Sequence, residues 1–147
     1  MDVSADLDAP HPPAAVFAVV EDLTTYPSWL DIVPRVVAEG AGQDEPAWLV
    51  DLRGRFGPFA RSKRLRMVRT HHEPPVSVRF ERAERDGRSH SPWVLDAAVA
   101  ATPGGARLTM HLHYGGGLWM PPLERLLRDE IERSRPRLLA FLEQSGR

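Results

Sequence analysis

Two histidines spaced two residues apart are the first candidates for chemistry in this sequence. His111 and His113 occupy an alternating segment, so their side chains leave the same face of a predicted strand. Histidine binds metals and transfers protons near neutral pH, but a metal site would need a third ligand on that face. The alternating positions form the better apolar face, namely Leu108, Met110, Leu112 and Tyr114. We therefore predict that both histidines lie on the outer, solvated face, and we expect no metal.

A strongly basic segment is the second candidate. From Arg53 to Arg69 the chain carries seven basic residues and no acidic one. In one interpretation these cations form a solvated face and pair with carboxylates on neighbouring strands. The candidate partners are Glu81, Glu84 and Asp96. In the other interpretation one arginine points inward and binds a carboxylate or phosphate of a ligand bidentately, with Arg64 and Arg66 as the first candidates.

No other motif is typical of a catalytic centre. The chain has no cysteine, which excludes disulfides, thiolate zinc sites and cysteine nucleophiles. The glycines at 115–117 lack the lysine and the spacing of a phosphate-binding loop. Tyr114 could donate a proton in a cyclisation, because such a reaction needs only a positioned acid and a pre-folded substrate. We assign no catalytic residue and expect no cofactor.

Length and composition are typical of one globular domain. The 147 residues fit a single domain, 1–147, with 42% hydrophobic and 27% charged residues. The net charge of −1 lacks the basic excess of a nucleic-acid-binding domain. Neither a signal peptide nor an apolar run of about 18 residues is visible. We expect a cytoplasmic monomer or homodimer without stable membrane insertion, and the excess of Arg and Ala over Lys indicates a bacterial source.

Alternation of apolar and polar residues predicts a series of strands. The first covers Val3–Ala9, after which prolines can open a short helix over Ala14–Glu21. A second short helix is predicted over Tyr26–Ile32. The remaining strands are joined by short turns and predict an antiparallel meander. They cover Val33–Ala38, Trp48–Arg53, Phe59–Thr70, Val76–Glu81, Trp93–Ala100 and Arg107–Tyr114.

The periodicity changes to that of a helix from about Leu118. The opposite faces of this segment are apolar and charged, as in a long helix that packs on a surface through one stripe. Pro136 lies inside it and is expected to bend the helix near Glu132 or Arg133, because proline removes one backbone hydrogen bond. The apolar stripe consists of Trp119, Leu123, Leu126, Leu127, Ile131, Leu138, Phe141 and Leu142.

This order of elements resembles the START-like superfamily, including its polyketide cyclase/dehydrase and lipid-transport group. The resemblance covers essentially the whole chain. Its most specific part is the opening, where Ala9–Phe17 (APHPPAAVF) is followed by Asp22–Trp29 (DLTTYPSW). Its second part is a C-terminal helix that begins at a tryptophan after a glycine-rich strand end. The resemblance implies an α+β helix-grip fold, in which a curved antiparallel sheet wraps a long C-terminal helix and two short helices follow the first strand.

The resemblance also implies a cavity between the sheet and the long helix. The superfamily includes carriers of lipids, sterols and quinones as well as aromatase/cyclases, so the fold alone does not choose a function. We favour non-catalytic binding or transport of a hydrophobic small molecule, such as a lipid, a quinone or a polyketide-like compound. One alternative is a polyketide cyclase/aromatase-type enzyme that uses a cavity tyrosine and an arginine. The other is a protein-interaction module with a vestigial pocket.

Candidate ligand contacts are taken mainly from the apolar faces of the strands and the helix. Small-molecule sites are concave and mostly apolar, although the same side chains could instead form a solid core. Tyr26, Trp29 and Trp119 lie at the ends of elements, where they could gate the cavity or pack the short helices against the long one. The predicted ligand-binding residues are Trp48, Arg64, Met67, Phe80, Trp93, Leu95, Met110, Tyr114, Trp119, Leu123 and Leu127.

Overall fold

A seven-stranded antiparallel sheet forms the frame of the protein. The computed structural model describes residues 1–40, 45–56, 59–116 and 120–146. Strands β2 to β7 are neighbours in chain order and β1 pairs with β7, which confirms the predicted meander. The strands are β1 Asp2–Ala9, β2 Arg35–Ala38, β3 Ala47–Phe56, β4 Phe59–Glu73, β5 Ser77–Arg82, β6 Trp93–Thr102 and β7 Gly105–Tyr114.

Two short helices connect β1 to β2, and a long helix follows β7. Helix α1 covers Pro13–Val20 and begins with Pro12 as its N-cap, as the prolines of the sequence indicate. The second short helix was predicted over Tyr26–Ile32, but it is a 3₁₀ helix over Leu23–Ser28. It begins earlier because the Asp22 carboxylate accepts a hydrogen bond from the Thr24 backbone N–H at 3.0 Å.

The long helix α2, Met120–Ser145, lies against the inner face of the sheet. Its inward side chains Leu127, Leu138 and Leu142 are buried, as the apolar stripe predicts. Gly54 of β3 permits a close approach, because a Cβ atom there would stand 2.5 Å from Cδ2 of Leu126. Within the described part of the chain, no helix is both long enough and apolar enough to cross a membrane.

The outer face of the sheet carries charged cross-strand pairs. Three arginines each donate two hydrogen bonds to the aspartate directly opposite, with Nε–Oδ1 distances of 2.6–2.8 Å. The pairs are Arg64–Asp51, Arg79–Asp96 and Arg107–Asp8.

The two histidines of β7 are also on the outer face, as predicted. The rings of His111 and His113 each lie 3.0 Å from the Asp2 carboxylate. No group of three or more metal-ligating side chains forms a cation site among the residues that the structure describes.

Because of these charged pairs on the outer face, we expect the free energy of unfolding to fall in acid. Hydrogen bonds from Arg64 hold the pKa of Asp51 below its ordinary value of 3.8. A carboxyl whose pKa is lowered by folding stabilises the native state above its unfolded pKa, and this contribution is lost as the pH falls through the folded pKa. In urea titrations we expect Asp51→Asn to flatten the fall in unfolding free energy below about pH 4. Arg64→Gln should make the same acid-induced fall in unfolding free energy less steep. If neither variant changes this fall, the Arg64–Asp51 pair does not cause it.

Candidate ligand-binding cavity

An apolar cavity of about 180 Å³ lies between the inner face of the sheet and α2. Directly opposed residues of neighbouring strands share a face, so the register explains how distant residues meet there. Val50 of β3 stands opposite Leu65 of β4, and Leu95 of β6 stands opposite Leu112 of β7. All four of these side chains line the cavity.

Five of the predicted contacts lie in the cavity wall. They come from four different elements, since the wall is assembled by strand pairing and by the packing of α2. Trp93 and Leu127 are both 7% exposed. The five residues are Met67, Trp93, Leu95, Met110 and Leu127.

Four other predicted contacts do not line the cavity. Trp48 and Phe80 pack edge to face with ring centroids 5.4 Å apart, and this pair fills the interior beside the cavity. The Tyr114 ring lies on Trp93 with centroids 4.5 Å apart. Leu123 is partly buried against the core. Trp119 lies outside the described residues.

Arg64 does not point inward. Its side chain is 60% exposed on the outer face and donates to Asp51. Arg66 lies on the same face, where it donates to Glu39 at 2.9 Å and to the Ala83 carbonyl at 2.8 Å. The alternation of β4 explains this placement, because Leu65 and Met67 occupy the inner face.

The 3₁₀ helix and the residue that follows it contribute part of the cavity wall, through two aromatic residues for which the sequence analysis considered a gate or helix packing. Tyr26 and Trp29 line the cavity with their ring centroids 4.6 Å apart, and both are at most 3% exposed. The Tyr26 hydroxyl donates to the Val20 carbonyl at 2.9 Å, and burial raises the pKa of this phenol well above its ordinary value. Both rings therefore pack the 3₁₀ helix into the interior.

Three polar residues of α2 also lie in the cavity wall, although the sequence analysis did not predict them there. Glu130 and Ser134 are each 8% exposed, and Arg135 lines the cavity beside them. Each has a partner: Arg133 donates to Glu130, Ser134 donates to the Ile131 carbonyl, and Arg135 donates to the Asp6 carbonyl. The sequence could have predicted the inward position of Glu130 and Ser134, because positions 130 and 134 continue the apolar stripe between Leu127 and Leu138.

Trp93, a residue of the cavity wall, carries a buried polar atom that no described residue satisfies. The indole Nε1 of Trp93 is buried and has no hydrogen-bond partner among the described residues. A buried donor without an acceptor costs about 1–3 kcal/mol. An acceptor oxygen placed beside this ring would recover part of that cost.

The curved sheet and α2 form a helix-grip fold with an apolar cavity between them. The chain belongs to the family described as polyketide cyclase / dehydrase and lipid transport, which it matches over residues 1–140. Among curated proteins, no significant match is found.

Solved structures share this fold at low sequence identity. A START superfamily protein from Mycobacterium smegmatis is 15% identical with a TM-score of 0.72, and 97% of each chain is covered. A protein from Thermus thermophilus is 18% identical with a TM-score of 0.69, covering 99% of this chain and 96% of that one. The di-domain ARO/CYC StfQ from the steffimycin biosynthetic pathway is 14% identical with a TM-score of 0.70. The match covers 99% of this chain but only 51% of StfQ, so this chain spans about half the length of that protein.

Proposed function

We propose that this protein binds a small, mostly apolar molecule in the cavity between the sheet and α2, and that it carries this molecule without transforming it. The cavity of about 180 Å³ supports this proposal, because its wall is built almost entirely from aliphatic and aromatic side chains. Burial of apolar ligand surface would supply about 25 cal/mol per Å². A filled interior, as expected for a vestigial pocket, would offer no such space.

The size of the cavity favours a small ligand. An apolar protein cavity of about 150 Å³ can hold one benzene molecule. The volume of about 180 Å³ therefore suits a substituted single ring or a compact bicyclic compound. A diacyl lipid or a four-ring polyketide would require α2 to move away from the sheet. Within the classes that the fold family suggests, a small quinone or aromatic compound fits best.

Native mass spectrometry of the protein purified from its own host tests this proposal. We expect a retained adduct that disappears on denaturation. Leu112→Trp adds a large ring to the cavity wall and should abolish the adduct. Val37→Trp is the matched control, because Val37 lies 41% exposed on the edge strand β2. An adduct that survives Leu112→Trp and is lost in Val37→Trp would place the ligand elsewhere.

A cyclase is the second candidate, favoured by the carboxylate of Glu130 in the cavity wall. A buried carboxyl beside a bound substrate can serve as a general acid or base. Cyclisation of a linear polyketide chain by the purified protein, together with an adduct-free native mass, would favour this candidate over the carrier.

A further inference from the structure

Two cations stand beside the cavity on the inner face of the sheet. Lys63 lies directly opposite Leu52, and Arg82 lies directly opposite Met67. Both of these opposed residues line the cavity. Since cross-strand partners share a face, the side chains of Lys63 and Arg82 leave the sheet toward the same side as the cavity.

Arg82 is a fixed charge. Its side chain is only 7% exposed and donates from Nε to the Glu84 carboxylate at 3.0 Å. Its two terminal nitrogens donate to the Ser91 carbonyl and to Nδ1 of His90, both at 3.2 Å. These contacts hold the guanidinium in the loop 83–92, which leads into Trp93.

Lys63 differs from Arg82 because its ammonium has no bonded partner. Among the residues that the structure describes, Lys63 makes no hydrogen bond or ion pair. Partial burial and the nearby Arg82 lower the pKa of its ammonium, while Glu84 acts in the opposite direction. Lys63 and Arg82 thus face the Glu84 carboxylate, which is bonded to Arg82, so the Lys63 ammonium is the group of this cluster left to bind an anion beside the apolar cavity.

From this juxtaposition we infer that Lys63, backed by Arg82, binds an anionic head group of the ligand while the apolar body lies in the cavity. The inference rests on the proposed function and names the ligand class: an amphipathic acid whose head is a carboxylate or a phosphate monoester. A flexible lysine bearing three donors suits such a head group, whereas the donors of Arg82 are already engaged.

The distances along β4 permit this contact. Lys63 is two residues from Leu65, which lines the cavity, so the two Cα atoms are about 6.6 Å apart at the usual rise of a strand. A lysine side chain spans a similar length and keeps its charged end toward water. The other charged groups of the wall are engaged within α2 or with β1, because Glu130 accepts from Arg133 and Arg135 donates to the Asp6 carbonyl.

Calorimetric titration with a matched pair of probes tests the inference. The probes are 3-phenylpropanoate and the isosteric neutral 3-phenylpropanamide, with phenethyl phosphate as the phosphate arm. We expect the acid to bind about tenfold more tightly than the amide at low salt, the scale of one charge-assisted hydrogen bond. Added salt should reduce this preference. Whichever of 3-phenylpropanoate and phenethyl phosphate binds more tightly identifies the head group as a carboxylate or a phosphate.

Two variants of adjacent residues separate a local site from a general effect of charge. Lys63→Gln should remove the preference for the acid while leaving the affinity for the amide unchanged. Arg64→Gln removes the same charge from the outer face of the same strand and should leave the preference intact. Equal affinities for acid and amide in the wild type, or equal losses in both variants, would overturn the inference alone. Failure of the acid, the amide and the phosphate alike to bind would defeat the proposed function and this inference with it.

Discussion

Phe80→Ala is expected to lower the free energy of unfolding by about 3–5 kcal/mol, the range for truncating a fully packed core aromatic. Phe80 is 0% exposed, packs edge to face against Trp48 and does not line the cavity. Its removal therefore opens a new void in solid packing. We expect ligand affinity to change much less than stability, because the cavity wall itself stays intact.

Trp93 is the matched comparison, since it is a buried aromatic that lines the cavity. Trp93→Ala should cost less than about 3 kcal/mol, because part of the ring already faces empty space and its indole N–H is unsatisfied. The same change should weaken ligand binding strongly. Trp93→Phe keeps an aromatic ring but removes the unpaired indole N–H, so we expect its free energy of unfolding to equal or exceed that of the wild type.

Urea unfolding and probe titration of the three variants check these expectations. The signature of a cavity wall is a large loss of affinity with a modest loss of stability, and the signature of core is the reverse. If Trp93→Ala costs as much stability as Phe80→Ala and binds the probe normally, Trp93 is a core residue and the cavity assignment fails at this position.

The fold was predictable because most of its elements are specified by local patterns. Strict alternation identifies β6 and β7, and the helical stripe identifies α2. The predicted position of the second short helix was wrong, because the start of this helix depends on one side-chain cap, that of Asp22, and its interior contains Pro27. Periodicity carries no information about such a cap.

The cavity was only partly predictable, because alternation identifies two faces without saying how they are occupied. It placed Met67, Trp93 and Met110 correctly on the inner face. It could not distinguish a residue that bounds empty space from one that fills it, such as Phe80, since that depends on how α2 lies on the sheet. One interpretation placed Arg64 on the inner face, although Leu65 and Met67 occupy that face, and the register places Lys63 there instead of Arg64.

The second large effect is expected at the tight turn between β6 and β7. Gly105 has a φ of +150°, and a Cβ atom there would lie 2.2 Å from the Ala9 carbonyl oxygen and 2.7 Å from the His11 nitrogen. Both obstacles are backbone atoms, which cannot rotate away. Gly105→Ala should therefore lower the free energy of unfolding by about 3 kcal/mol or more, through backbone strain and displacement of the β1 end.

Gly104→Ala is the matched control, because no atom of the described residues beyond its two chain neighbours lies within 4 Å of a Cβ atom built at Gly104. We expect its thermal unfolding midpoint to stay near that of the wild type. The consequence for function follows from β1, whose residues Val3 and Leu7 form part of the cavity wall. Displacement of the β1 end by Gly105→Ala should loosen this wall and weaken probe binding, even at temperatures where the variant remains folded. Equal stability of the two variants would show that the turn tolerates a side chain and does not hold β1 in place.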